Sequence, residues 1–285
     1  MAEWYPRLGY TPPGGPRLAL NDDDVQLVDV KGAGIPALSH QVARTPNRDG
    51  EVYLGRTIVQ PRFLIAQLEI AGNGYAATNA LRRAAIDSIN PKAGMGVIDL
   101  TWVPGGVTYE IDALLETGLG FDTAGPDWRE FVEHATVSFR CPDPTWREQT
   151  LNQIAIGSAG GGLSIPLAMP FTLASAGATT EIVNTGHIDT YPVLVATGEF
   201  ESLKVTNETT ARMVWFAGLA VTEGQTLTVD MKTWSAKVDG VNVMPSLTTD
   251  SHMWPLVRGA NTVTVEVSSG NVELSVEYYT RLIGV

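Results

Sequence analysis

The chain holds one cysteine, Cys141, in 285 residues. An internal disulfide is therefore excluded, and synthesis in a reducing cytoplasm is expected. No apolar run approaches the roughly 18–20 residues of a membrane span. The opening MAEWYPRLGY carries an acid and no apolar stretch of signal-peptide type, so no secretory leader is expected there. Basic residues are scarce: 19 Lys and Arg face 31 Asp and Glu, for a net charge of −12. Gripping nucleic acid takes cations that displace counterions from phosphates. No basic cluster stands out, which argues against tight nucleic-acid binding. The histidines, His40, His134, His187 and His252, share no metal-ligand spacing, and each reads as a surface or packing residue.

Several stretches come close to a chemical motif and miss. Gly72-Asn73-Gly74-Tyr75-Ala76-Ala77 fits G-x-G-x-x-A between an expected strand and an expected helix, with Asp99 further on. In a dinucleotide site that acid should end the second strand. Asp99 instead sits between Ile98 and Leu100 in mid-strand, and no further βα units follow. A tight strand-to-helix turn is the better reading. Asp22-Asp23-Asp24 lacks the spaced ligands of a calcium loop and reads as a solvated turn. Ser158 misses the nucleophile pattern G-x-S-x-G at its first position. Carboxylates are plentiful, but nothing singles out an acid/base pair. Trp215, Trp234 and Trp254 could make a sugar platform, although packing or subunit contacts are the favoured reading. Asn207-Glu208-Thr209 matches a glycosylation acceptor and is inert without secretion. No catalytic, cofactor-binding or metal-binding residue is assigned, and no cofactor or metal is expected.

What is abundant is turn and alternation. Gly (29) and Pro (17) together suit a turn-rich β protein. Leu64, Ala66, Leu68 and Ile70 lie on one face of a strand over Arg62–Ile70. Ile98, Leu100 and Trp102 alternate likewise, and so do Val137, Phe139 and Cys141, which places Cys141 inward. One segment is helical, Ala76–Asn90, with Leu81, Ala85 and Ile89 on a stripe and Thr78 or Asn79 as cap. Further on, Leu227/Val229/Met231, Val263/Val265/Val267 and Val272/Leu274/Val276/Tyr278 alternate with polar residues, the mark of antiparallel sheets with one wet face. Asp239-Gly240 is a hairpin turn. Gly259-Ala260-Asn261 and Ser269-Gly270-Asn271 are read as turns as well. Two β domains follow: residues 1–145, with 1–24 as an arm or loop, and residues 181–285 as a β-sandwich. Residues 146–180, with the run Gly157-Ser158-Ala159-Gly160-Gly161-Gly162, form the junction.

The order of motifs resembles the siphophage distal tail protein (Dit) family. The first half ends in Arg140-Cys141-Pro142-Asp143-Pro144-Thr145-Trp146, like the C-x-D-P-x-aromatic close of that family's N-terminal domain. Pro142 and Pro144 cannot donate ladder hydrogen bonds, so they end the strand and stiffen the exit. In the second half Asn184-Thr185-Gly186, Tyr191–Val195, Thr222–Asp230, Val238-Asp239-Gly240 and Arg258–Val265 follow the order of the family's C-terminal domain. The resemblance covers about residues 25–145 and 181–285.

It implies a mainly β protein: an N-terminal sheet or barrel-like domain with one helix that forms a ring, and a galectin-like antiparallel β-sandwich. It implies a structural, non-enzymatic role in the virion of a long-tailed phage. A homo-hexamer at the tail tip, assembled in the host bacterial cytoplasm, would join the major tail tube protein to the tail-associated hub protein and to receptor-binding or baseplate proteins. DNA would transit its channel without specific binding, past acidic or neutral side chains. The alternative is a carbohydrate-binding adhesion module acting in host recognition.

Overall fold

Leu64, Ala66, Leu68 and Ile70 are buried, while Phe63 before them and Gln67 between them are exposed. That period of two is what a half-buried strand requires. In the computed structural model of the chain it organises the first of two compact units. The structure describes residues 6–44, 46–47, 49–122, 132–157 and 178–285. Unit one is Met1–Gln149 with Leu282–Val285, and unit two is Thr150–Arg281.

Unit one contains β1 (Arg7–Thr11), β2 (Leu18–Ala19), β3 (Val25–Lys31), β4 (Leu38–Ala43), β5 (Val52–Val59), β6 (Arg62–Ala71), α1 (Tyr75–Ser88), β7 (Gly96–Thr101), β8 (Thr108–Asp122), β9 (Val132–Cys141) and the start of β10 (Trp146–Gly157). Its strands are antiparallel. One sheet runs β10-β8-β7-β1-β2 and another β3-β6-β9-β8. The long β8 serves both, pairing first with β7 and then, from Leu114, with β9. Tyr10, Ile98, Leu100 and Ile111 of one sheet share a core with Leu68, Ile70, Val137 and Phe139 of the other. Burying each such side chain is worth roughly 1.5–3 kcal/mol. Residues 7–11 and 18–19, read from sequence as part of an arm, are strands, and residues 146–157, read as junction, are β10. The rest of the Gly-rich junction, 158–177, lies outside the described residues, as does Ser158. Trp102 falls just past β7 and is exposed, because the strand stops at Thr101.

The expected helix forms over Tyr75–Ser88, with Ala85 and Ile89 buried. Its cap differs. Gly74 precedes the helix, and no side chain caps it. Thr78 is inside the first turn, where its Oγ1 accepts from the Gly72 amide (3.1 Å) and donates to the Gly74 carbonyl (3.2 Å).

Unit two contains β11 (Ala178–Asn184), β12 (Val193–Thr197), β13 (Phe200–Asn207), β14 (Arg212–Val221), β15 (Thr226–Asp230), β16 (Ser235–Val238), β17 (Val241–Asn242), β18 (Gly259–Gly270) and β19 (Glu273–Leu282). Two antiparallel sheets, β11-β18-β13-β14 and β17-β16-β15-β12-β19 with the later part of β10, enclose one core. Leu203, Val205, Phe216 and Val265 meet Leu227, Val229, Leu274 and Val276 there. Asp239 and Gly240 both have positive φ (48° and 84°), the primed turn expected of them. Gly259-Ala260-Asn261 is not a turn. It is the start of β18, paired with Ile182–Asn184, because the Asn261 side chain supplies hydrogen bonds that a turn would otherwise have made.

Candidate functional site

The exit from unit one is built around Arg62, the first residue of β6. It stands opposite Cys141 in the ladder and is 1% exposed. Its Nε donates to the Pro144 carbonyl at 2.9 Å. Its Nη1 donates to the carbonyls of Gly32 and Gly34, and its Nη2 to that of Ile283. The guanidinium carbon lies 5.6 Å from the centroid of the Trp146 ring, within cation–π range. Trp146 is fully buried and donates its indole N–H to the Ala33 carbonyl at 3.1 Å. The Val285 amide donates to the same carbonyl at 3.2 Å. Asp143 Oδ1 accepts from the Thr145 hydroxyl at 2.6 Å and steadies the turn between the prolines.

Four segments of unit one thus converge on one buried cation: the loop after β3, β6, the Pro142–Trp146 turn and the last residues of the chain. Among the described residues, four carbonyl oxygens and no carboxylate accept its hydrogen bonds. Burial pushes the Arg62 pKa down, yet a guanidinium keeps its proton in proteins. Gly32 makes the geometry possible. It has φ +93°, and a Cβ there would fall 2.0 Å from the Phe63 carbonyl. Cys141 does point inward, and burial chiefly pushes its thiol up to about 12, partly offset by Arg62. It is a packing residue and a poor nucleophile.

Strands β4 and β5 form a separate two-stranded sheet between β3 and β6. Every residue in it but one is exposed. One face carries Leu38, Val42 and Tyr53 around the Thr57 hydroxyl, which shares hydrogen bonds with His40 Nδ1 (3.0 Å) and the Tyr53 hydroxyl (2.8 Å). Val52, Leu54 and Ile58 are also exposed on this hairpin. Among the described residues, its apolar side chains take no part in the core of the unit.

The near-miss motifs resolve into structure. A Cβ on Gly72 would fall 2.4 Å from the Thr78 amide, so that glycine serves helix packing within its own turn. Asp99 is held by Arg17 through two bonds of 2.8 and 2.6 Å. Hydrogen bonding to Asp99 is the main reason the Arg17 pKa is raised. Asp99 and Glu110 line an open concavity of about 770 Å³, and both already answer to arginines, Arg17 and Arg147. Asp22 Oδ1 accepts from the amides of Asp24 and Val25, a self-capped turn. His40, His134, His187 and His252 stand exposed on separate elements. The three tryptophans are not one platform: Trp254 is fully buried, Trp215 is on β14 and Trp234 is in the β15–β16 turn of the other sheet.

The conspicuous asparagines of unit two hold loops. Asn184 Nδ2 donates to Ile188 and Leu256 carbonyls, each at 3.0 Å, and its Oδ1 accepts from the Gly186 amide. Asn207, the glycosylation-like residue, is 0% exposed and bonds Pro255 and Asn261. Asn261 donates to Val257 and Gly259 carbonyls. Asn184 and Asn261 belong to Asn184-Thr185-Gly186 and Arg258–Val265, two of the stretches on which the resemblance rests.

Residues 185–281 match the family model described as the siphovirus-type tail component, C-terminal domain. The resemblance to the siphophage distal tail proteins is borne out. The fold agrees with this across both units. The crystal structure of the Dit protein (gp 19.1) of phage SPP1 superposes with a TM-score of 0.68, at 14% identity, over 95% of this chain and 98% of that one. That protein is described as a paradigm of the hub adsorption apparatus in phages infecting Gram-positive bacteria. No curated protein sequence matches the chain. The mainly β architecture with one helix is the distal tail fold. Sequence reading missed Arg62, the Leu282–Val285 segment and the exposure of β4–β5. An arginine opening an apolar strand, directly after Gln60-Pro61, was the signal for the first. The other two left no local signal.

Proposed function

We propose that this chain is a structural hub subunit at the tip of a long, non-contractile phage tail. Six copies close a ring through unit one, and unit two is presented to receptor-binding or baseplate proteins. The ring joins the tail tube to the tail-associated hub protein, and DNA passes through its channel. No catalytic step is part of this role. The subunit is made in the host bacterial cytoplasm and ends in the virion.

The tail-component match over unit two and the likeness in fold to the SPP1 hub protein support the tail assignment. The observation that carries the ring is the hairpin β4–β5. A lone two-stranded hairpin is marginally stable in water and needs a covering surface. Among the described residues this one has none, while it displays Leu38, Val42, Tyr53, Leu54 and Ile58. The sheet β3-β6-β9-β8 adds a second feature: among the described residues, β3 and the Leu114–Phe121 part of β8 each pair on one side only. Two different open edges on one subunit suit a head-to-tail contact that repeats until rotation closes it. The surplus of acids keeps a lumen of this material from gripping DNA.

Native mass measurement of the full chain tests this. A species six times the 30.5 kDa subunit is expected. A monomer at the highest soluble concentration, with β4–β5 intact, contradicts it.

A further inference from the structure

We propose that the outward face of β11-β18-β13-β14 in unit two is a saccharide-binding face centred on Trp215. The inference does not depend on ring formation. Trp215 is 37% exposed on β14. Its cross-strand neighbour is Lys204 on β13, and the neighbour of Lys204 is Glu266 on β18. Lys204 Nζ and Glu266 Oε2 pair at 2.9 Å with both side chains partly exposed. The row spans about 10 Å across three strands. The row beside it is hydroxylic: Thr206 pairs with Thr264, and Thr264 Oγ1 lies 3.1 Å from Thr179 Oγ1.

A pyranose has an apolar C–H face and a rim of hydroxyls. The indole offers a surface for the first. The ion pair offers the two remaining ammonium donors of Lys204 and the carboxylate acceptors of Glu266 to the second, already aligned on a rigid sheet. The backbone of Trp215 is held from the other side as well. Its amide donates to Ser251 Oγ at 2.9 Å, its carbonyl accepts from the Thr248 amide at 2.9 Å, and the His252 amide bonds Met213 at 2.8 Å. The loop Thr248–His252 thus seals the edge of β14 and fixes the platform before a ligand arrives, which lowers the entropy cost of binding. The charge of the row sums to zero, which favours neutral sugars over phosphate polymers or nucleic acid. Trp234 is more exposed, at 58%, but sits at a turn without such a row, and it is the natural control.

The test uses the full chain and three probes, lactose, chitotriose and rhamnose, followed by saturation-transfer NMR and calorimetry. At least one should bind. Trp215→Ala should weaken it about tenfold, the loss of roughly one stacking contact. Trp215→Phe should restore part of the affinity, and Trp234→Ala should change nothing. The native mass and the thermal transition of unit two should be unchanged in all three variants. No binding by any probe overturns the proposal, as does undiminished binding by Trp215→Ala. Loss of assembled mass in Trp215→Ala without sugar binding makes the face a protein contact and also overturns it. A wild-type chain that binds sugar yet stays monomeric sinks the ring and leaves this inference standing.

Discussion

Unit two and unit one solve the same problem, a β core with loops to anchor, by different means. Unit two closes on itself. Its sheets cover one core, and its buried polar groups are neutral asparagines and threonines, the asparagines bonding backbone within a few residues of Pro255–Asn261. Unit one anchors distant segments on a charged arginine and leaves its largest apolar surplus, β4–β5, in water. A neutral amide costs little to bury once bonded, whereas a guanidinium is costly to bury and unforgiving if its partners move. The difference teaches that unit two is a finished module. In the ring proposed above, unit one would be one piece of a larger assembly, held rigid where its chain must exit.

Substitutions can break that contrast in graded steps. Arg62→Met should have the largest effect, because four buried carbonyls lose their donor at once. We expect unit one to lose at least about 3 kcal/mol, with unit two unmoved. Calorimetry would show one transition falling and the other staying. Arg62→Lys should rescue little, since one ammonium cannot reach all four. Gly32→Ala comes next, at roughly 2 kcal/mol or more, because the new methyl meets the Phe63 carbonyl at a positive φ. Denaturant midpoints would measure it. Asn261→Ala tests unit two in the same way, with an expected loss of about 1–3 kcal/mol confined to that unit's transition. Leu54→Asp in the hairpin should leave monomer stability within about 0.5 kcal/mol while lowering the assembled mass to that of a subunit. A stable assembly of this variant would remove the hairpin from the interface.

The smallest effect concerns pH. The Cys141 thiol is raised in the folded state, so folding favours its protonated form. Its contribution is fully present below the unfolded pKa of about 8.5 and is lost as pH rises toward the folded value. Denaturant midpoints should fall between about pH 8 and about pH 10.5, and Cys141→Ala, less stable overall, should show a flatter decline. An equal decline in both proteins would assign the alkaline loss to Tyr10 and Tyr278, whose pKa values burial also raises.

Much of the fold was legible because one face of each sheet is wet. The alternation at Leu64–Ile70 and Val263–Val267 marks strands and their inward faces, and Cys141 was placed inward on the same basis. The helix stripe was equally plain, but its cap was not. Thr78 is a good capping residue by type, yet Gly74 supplies the turn and Thr78 bonds from inside the helix. Gly259-Ala260-Asn261 has turn composition and forms a strand, because Asn261 satisfies loop carbonyls from within the ladder. The candidate sites were largely hidden. Arg62 meets Pro144 and Ile283 across 82 and 221 residues, separations at which no local pattern operates. Trp215 was noticed with the wrong companions, since Lys204 and Glu266 join it only through strand register.

By itself the sequence determined a turn-rich, acidic, β-alternating chain, its single helix, the stiff exit at Cys141–Trp146 and the likeness to distal tail proteins. These follow from local steric and burial preferences, which act between near neighbours. Only the tertiary structure decided that a lone arginine would gather four segments, that the chain's last residues would join unit one, and that β4–β5 would find no cover. Such outcomes depend on which strand lies beside which, and that is set by the summed packing of the whole unit rather than by any stretch within it.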